Sequence, residues 1–283
     1  MKPHEEEVEQ IEELDEETEQ KMVEEVKKST FDTSSWNPKT EIGRKVKSGE
    51  IKDIDEILDR GIPILEPEIV DSLLPDLEVE LLLIGQSKGK FGGGQRRIFK
   101  QTQKKTSEGN KPQFSTMAVV GNKDGYVGVG LGKSKETVPA REKAIRRAKM
   151  NIFKIRRGCG SWQCGCGEPH SIPFSVTGKC GSSIIKIMPA PKGKGLCIEQ
   201  ECQKVLTLAG IRDVWSKTFG QTRTKGNLVM ACINALKQLM ETKLSPEMEQ
   251  KVVEGRIKKN MKLLEEEILQ ISKDKVEDKN AKQ

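Results

Sequence analysis

The chain has 283 residues, of which 33% are charged, 34% hydrophobic and only 4% aromatic. That is length for two ordinary domains with extensions, built on modest cores, and no apolar run reaches the roughly 18 residues a membrane helix needs. The formal net charge of +6 hides an asymmetry, because residues 1–28 hold twelve Asp/Glu against four Lys/Arg while residues 85–157 hold nineteen Lys/Arg against four Asp/Glu. Such a concentrated positive balance is the footprint of a polyanionic partner, nucleic acid first, more than of a merely solvated face. The acidic N-terminus has no apolar stretch of a secretory signal. The seven Cys, an odd number, read as reduced thiols, in part available to a metal.

In chain order, residues 1–30 read as a solvated acidic tail and 31–76 as an N-terminal arm followed by short helices. Within the arm, residues 31–48 (FDTSSWNPKTEIGRKVKS) are expected to be extended, with Trp36 as anchor. Ile51, Ile54 and Leu58 recur at helical spacing until Gly61 and Pro63, and Pro67 opens a second helical piece that runs through Leu74. LEVELLLIG (77–85) has the length and apolarity of a strand. Residues 86–113 hold eight Lys/Arg and one Glu among glycines, the composition of a long flexible loop between two strands.

FSTMAVVG (114–121) and YVGVGLGK (126–133) read as strands joined by a turn at Asp124-Gly125. Strand side chains alternate faces, so Gly128, Gly130 and Gly132 line one bare face and Val127, Val129 and Leu131 the other. A bare face admits an RNA sugar–phosphate chain, or packs under a helix; the sequence leaves both open. A helix from about Lys135 to Phe153 puts Ala140, Ala144, Ile145, Ala148 and Ile152 on one arc and Lys143, Arg146, Arg147 and Lys154 on another. Residues 77–156 thus form one β-β-β-α unit with a basic loop and a basic helix.

Residues 157–170 (RGCGSWQCGCGEPH) are a Cys/Gly-rich connector and the expected domain boundary. A second unit, 171–243, reads as strands SIPFSVTG and SSIIKIMPA, a PKGKG loop, a helix from Ile198 to Ala209, a short strand GIRDVWSK and a last helix carrying Leu228, Ala231, Cys232, Ala235, Leu236 and Leu239. Residues 244–283 read as a charged amphipathic helix beyond Pro246, with Val253, Ile257, Met261, Leu264, Ile268 and Ile271, and a polar tail.

Catalytic chemistry finds little support. Gly132-Lys133-Ser134 follows a strand and opens a helix, but a phosphate-binding loop needs glycine at 127, where Val127 stands. No apolar strand ends in a magnesium-binding Asp, and no Ser/His/Asp or paired-acid set can be assembled when one of the two His is His4 in the tail. The basic segment is the stronger signal: Lys88, Lys90, Arg96, Arg97, Lys100, Lys104 and Lys105, interleaved with Gly89, Gly92, Gly93 and Gly94, would order on RNA. In the connector, Cys159, Cys164, Cys166 and His170 form a candidate structural zinc site, with Cys180 as an alternative to His170. Their spacing departs from the usual C-x2-C pairs, and reduced cysteines in a tight turn, with His170 bonding backbone or RNA, fit it equally. Cys197, Cys202 and Cys232 are expected as small buried hydrophobes.

Three separated stretches, GNKDGYVGVGLGKSKETVPAREKAIRRAKMNI, EPHSIPFSVTGKCGSSIIKIMPAPKGKG and LAGIRDVWSKTFGQTRTKGN, resemble the family of small-subunit ribosomal protein five in its archaeal form. The resemblance spans roughly residues 45–245. It implies an α+β protein with an N-terminal double-stranded-RNA-binding-like α-β-β-β-α domain and a C-terminal α/β domain of the kind named after this ribosomal protein, to which the sequence adds helical extensions at both ends. It implies a non-enzymatic constituent of the cytoplasmic ribosome, without a required cofactor. Its place would be on small-subunit RNA near the decoding region and the path by which messenger enters, beside ribosomal protein four of the small subunit, with a part in translational accuracy. By position, Lys88, Lys90, Arg96 and Arg97 match the family's basic loop. Gly128, Gly130, Gly132 and Lys133 match its glycine strand, and Pro189, Pro191, Gly193 and Gly195 its second-domain loop. The RNA-contacting set implied by charge and resemblance together adds Lys100, Lys143, Arg146 and Arg147. A free-standing double-stranded-RNA-binding protein, or a small-molecule kinase built on the second domain, are the competing readings.

Overall fold

Short helices with few apolar residues need a sheet to pack on, and the N-terminal segment meets that need first. A computed structural model of the chain describes residues 36–87, 96–244 and 252–254. Three short helices lead: α1 (Glu41–Ser48), α2 (Asp55–Asp59) and α3 (Pro67–Leu73). The first corrects the extended arm expected over 31–48. Thr40 caps α1 by accepting from the Gly43 N–H at 3.1 Å, Gly49 ends it in the left-handed conformation, and Ile42 and Val46 share a face four residues apart. Ile51 lies outside α2, whereas Pro67 opens α3 as its rigid φ favours. Trp36 is buried with Val46, Ile54, Ile57, Ile69, Val70 and Leu74. Glu66 ties the arm down: its carboxylate accepts from Trp36 Nε1 (3.2 Å) and from the backbone N–H groups of Lys39 (2.8 Å) and Thr40 (2.7 Å). Burial pushes this carboxyl up, but the Thr40, Lys39 and Trp36 donors outweigh it and hold the group below its ordinary value of 4.5.

The first sheet contains β1 (Glu78–Leu82), β3 (Gly109–Gly121), β4 (Tyr126–Ser134) and β5 (Ile152–Lys154) in the order β1-β3-β4-β5, all antiparallel, with β2 (Lys100–Thr106) paired to the outer half of β3. The expected loop over 86–113 is therefore, from Lys100 on, a long hairpin turning at Ser107-Glu108. KQTQKKT is solvated on both faces, so it has no apolar alternation to betray a strand.

Helix α4 (Thr137–Met150) lies across this sheet with Ala140, Ala144 and Ala148 buried. The glycine face of β4 is covered by it. A Cβ on Gly128, Gly130 or Gly132 would stand 2.2, 2.3 and 2.0 Å from the carbonyl oxygens of Ala148, Ala144 and Ala140. Of the two uses left open for the bare face, the structure shows helix packing. The helix also stops earlier than expected: Ile152 and Lys154 belong to β5, and Lys154 is buried between Asp55 (3.4 Å) and Asp59 (3.6 Å) rather than on the basic arc.

The second sheet has β7 (Val176–Cys180), β8 (Ser183–Pro189), β10 (Val214–Phe219) and β9 (Leu196–Cys197), in that order, antiparallel except for the β10–β9 pair. Residues 171–174 precede this sheet rather than extending β7. Helices α5 (Gln200–Leu208) and α6 (Lys225–Glu241) cover one face. The glycine device recurs here: a Cβ on Gly178 would meet the Ala231 carbonyl at 2.0 Å. Cys202 and Cys232 are buried as expected, but Cys197 is exposed, because it ends an edge strand.

The two sheets share one core. Met117, Val119, Val127 and Val129 on the back of the first sheet pack with Val205, Leu206 and Leu208 of α5, which in turn meet Ile185, Ile187 and the apolar face of α6. Hydrogen bonds fix the joint: Lys123 N–H to Leu208 O (2.8 Å), Gly125 N–H to Ala209 O (3.1 Å) and Leu83 N–H to the buried Glu201 carboxylate (2.8 Å). Between the sheets, β6 (Arg156–Gly158) pairs antiparallel with β11 (Val252–Glu254). A strand at Val252–Glu254 overturns the helical expectation at that point, since two β-branched residues meet an open strand edge. The rest of the expected C-terminal helix and the acidic tail lie outside the described residues.

Replacing Gly130 by Val should cost about 3 kcal/mol in urea unfolding, since the α4 backbone must move. Gly226→Ala, in the first turn of α6 where an added Cβ would meet no other described element nearer than Met117 at 3.9 Å, should stay within about 1 kcal/mol of wild type, on the stabilising side. Equal effects would contradict the close approach. Because the folded pKa of Glu66 is depressed, its contribution is present above 4.5 and is lost as pH falls below it. Glu66→Ala should speed amide exchange at Lys39 and Thr40 at neutral pH, and remove the extra acid-induced exchange that wild type shows there.

Candidate nucleic-acid interface

Cationic side chains of the first sheet and of the segment that opens α6 converge on one cleft. Lys100, Ser115 and Lys133 lie in one cross-strand row over β2, β3 and β4. Lys133 stands on the face of β4 opposite α4, as the alternation of the strand requires. Arg96 forms an isolated bridge with Ser87, and its Nη2 donates to the Arg223 carbonyl at 3.0 Å. Arg223, Thr224, Lys225, Gly226 and Asn227 face them from the start of α6. Together these residues line a cleft of about 840 Å³ with Ile84, Met117, Leu131 and Met230 at its apolar floor and rim. Among the described residues, five cations line it and no carboxylate does. Lys225 is paired with Glu199 at 2.6 Å.

Of the residues singled out by sequence, Arg96, Lys100 and Lys133 come together here. Arg97, Lys143 and Arg146 are exposed outside the cleft lining. Arg147 is exposed too and donates to the Leu131 carbonyl at 2.7 Å. Gly128 and Gly130 are buried beneath α4 and present no surface, which corrects their assignment as RNA contacts. Lys88 and Lys90 lie outside the described residues. Lys133 sits in a regular strand with Gly132 under a helix, so no phosphate-wrapping loop exists at Gly132-Lys133-Ser134. Sequence reasoning missed Arg223 and Lys225; the only signal was a basic, glycine-containing turn, QTRTKGN, just ahead of a helix.

The cysteine connector is built as a knuckle. Ligand atoms of Cys159, Cys164, Cys166 and His170 all lie within 4.8 Å of one another; Cys180 stands apart from the group. Cys164 Sγ is 3.3 Å from Cys166 Sγ and 3.7 Å from His170 Nε2. A tetrahedral zinc with bonds of about 2.0–2.3 Å places its ligand atoms about 3.5–3.8 Å apart. The other ring nitrogen, Nδ1, meets the buried Asp213 carboxylate at 2.9 Å, the partner that orients a metal-binding imidazole. Asp213 also accepts from the Gly195 N–H at 2.8 Å, which ties the knuckle to the 189–195 loop. The thiols are unequal. Burial and the neighbouring thiols push Cys159 up to about 11, whereas the Lys192 and Cys166 backbone N–H groups draw Cys164 down to about 6. Three crowded thiolates need a divalent cation to coexist, so the donor set fits zinc.

The fold and cleft define a two-domain α+β protein with a cation-lined groove at the domain joint. Comparison with known proteins makes the assignment narrower. The family model for ribosomal protein S5, N-terminal domain, matches residues 98–156, and that for its C-terminal domain matches residues 178–250. The chain is 53% identical over 211 residues to small ribosomal subunit protein uS5 of Nanoarchaeum equitans, covering 75% of this chain and 90% of that protein. It is 52% identical over 229 residues to the protein of the same name from Methanocaldococcus jannaschii, covering 80% and 99% respectively. Against that of Thermofilum pendens it is 50% identical over 206 residues, covering 73% and 95%. The chain belongs to the uS5 family of small ribosomal subunit proteins. Among the described residues, no helix is long and apolar enough to cross a membrane.

Proposed function

We propose that the chain serves as its family does, as a non-catalytic constituent of the small subunit of the cytoplasmic ribosome, and that it grips ribosomal RNA through the inter-sheet cleft. The carrying observation is the convergence of Arg96, Lys100, Lys133, Arg223 and Lys225 on one cleft with no carboxylate among its described lining residues. Cations held by a sheet and by the start of a packed helix displace counterions from RNA at little ordering cost, and Arg adds planar donors for phosphate. Exposed Arg97, Lys143 and Arg146, with Arg147, widen the positive field along the first domain. The resemblance further supports a place near the decoding region and the path of messenger RNA, beside ribosomal protein four of the small subunit, and a part in translational accuracy. Lys88 and Lys90, on the basic segment next to Arg96, belong to the same proposed RNA-contacting set.

The family needs no cofactor for turnover. We assign Cys159, Cys164, Cys166 and His170 a structural zinc ion, with Asp213 orienting His170. The ion would supply a small core where the connector has few apolar side chains. Lacking any reaction, the site would act only by bracing the knuckle and the 189–195 loop.

Replacing Arg96, Lys133 and Arg223 together by Gln should weaken binding to small-subunit RNA and flatten its salt dependence by about two to three in log–log slope. An unchanged slope would remove the cleft from the interface. Retention on small subunits through a high-salt wash separates a subunit constituent from a free-standing double-stranded-RNA binder. For the metal, elemental analysis of chain purified without chelator should give one zinc per chain, and Asp213→Asn should lower zinc affinity about 10–100-fold. Metal-free protein with an unaltered melting curve would end that assignment.

A further inference from the structure

Among the described residues, α5 and α6 cover one face of the second sheet and nothing covers the other. On the other face the register places Lys186 directly between Thr177 and Lys217, and Ile184 directly between Lys179 and Phe219. Met188 stands beside Trp215 in the next row. Along β10 the outward residues are Trp215, Lys217 and Phe219, an aromatic–lysine–aromatic alternation at period two. Lys179, Lys186 and Lys217 are exposed, Trp215 is half-buried, and Phe219 is 53% exposed although it belongs to no core cluster and a polar residue there would cost the core nothing. The strands of this sheet, VTGKC, SIIKIMP, LC and VWSKTF, contain no Asp or Glu. Two lysines directly across a strand pair repel unless a counter-charge bridges them. No described residue supplies a salt bridge to Lys179, Lys186 or Lys217.

We propose that this face is a second RNA-binding surface, one that takes an unpaired, extended stretch of ribosomal RNA. Positive charge with no acidic residue selects a polyanion. Flat aromatic groups standing on a sheet select one with stackable planes, as sheet platforms do when single strands spread their bases over them. Trp215 and Phe219 are four residues apart on one strand, about 13 Å. That is too far for two adjacent stacked bases but suits bases splayed from an extended chain, with Lys217 and Lys186 under the phosphates between them. The surface is separate from the cleft: none of these side chains lines it.

The test uses the full chain and transcribed small-subunit RNA. Phe219→Ala, at an exposed position that leaves the core untouched, should weaken binding about fivefold or more, and Phe219→Tyr should restore most of the loss. Lys186→Gln with Lys217→Gln should lower the salt slope by about one to two while leaving the cleft's contribution in place. In assembled subunits, ultraviolet cross-linking should join Trp215 or Phe219 to a nucleotide. Unchanged affinity in Phe219→Ala, or cross-links to protein alone, would overturn the assignment. So would shielding of the face in RNA-free protein that disappears on deleting residues 1–28, since the acidic segment would then be the occupant. Failure here with the cleft triple variant still defective would leave the cleft reading standing.

Discussion

The joint between the two sheets is the constraint on which the rest depends. Helix α5 is wedged with its apolar side against the back of the first sheet, and its C-terminal carbonyls accept from the Lys123 and Gly125 amides. A side chain at Gly121 would strike the Leu208 carbonyl at 2.5 Å, and one at Gly210, which adopts a left-handed φ of 82°, would strike the Lys123 carbonyl at 2.2 Å. The backbones touch, so the angle between the domains has little freedom. Arg157 reinforces the contact through Asp124 at 2.6 Å. A cleft whose walls come from both domains keeps its shape only because this joint is rigid, and pre-set shape is what lets weak single contacts add up on RNA.

Charge and apolar packing are divided cleanly between the faces of the molecule. Both sheets bury glycine against an alanine-rich helix, Gly128, Gly130 and Gly132 under α4 and Gly178 under α6, which brings helix and strand backbones unusually close. The result is a thin scaffold with small side chains inside. Cations are thereby left on the cleft, on the exposed side of α4 and on the open face of the second sheet. The low aromatic content follows: Tyr126 is buried and bonds Asp55 at 2.7 Å, while Trp215 and Phe219 stand on the open face. In such a protein the solvent-facing positions carry the function and the core serves to hold them in place.

How much of this was legible in the sequence depends on whether periodicity or juxtaposition carried the signal. The strands at 78–82, 114–121 and 126–134 and the long helices are visible because apolar residues alternate or recur. The hairpin at Lys100–Thr106 is not, since a strand wet on both faces has no pattern. Helix α1 hid behind Pro38 and Gly43, although Thr40 and Gly49 are ordinary cap residues. The glycine strand was read as two-faced, and only the position of α4 decides which use prevails. The sequence left the cysteine knuckle as one of two equal readings of the connector, and its Asp213 partner lies 43 residues beyond His170 and could be joined to it only by the fold. The cleft shows the same limit: Lys133 was legible, whereas Arg223 was not, because the two line one cleft only across the joint.

Whether the cleft cations face RNA in the assembled subunit can be read at their amines. Amine-reactivity footprinting of Lys100 and Lys133, free against subunit-bound, tests it most directly, with exposed Lys52 as internal reference. Both lysines should be strongly protected in the subunit and released when the RNA is digested. Equal reactivity in the two states, or protection that survives digestion, would contradict an RNA-facing cleft.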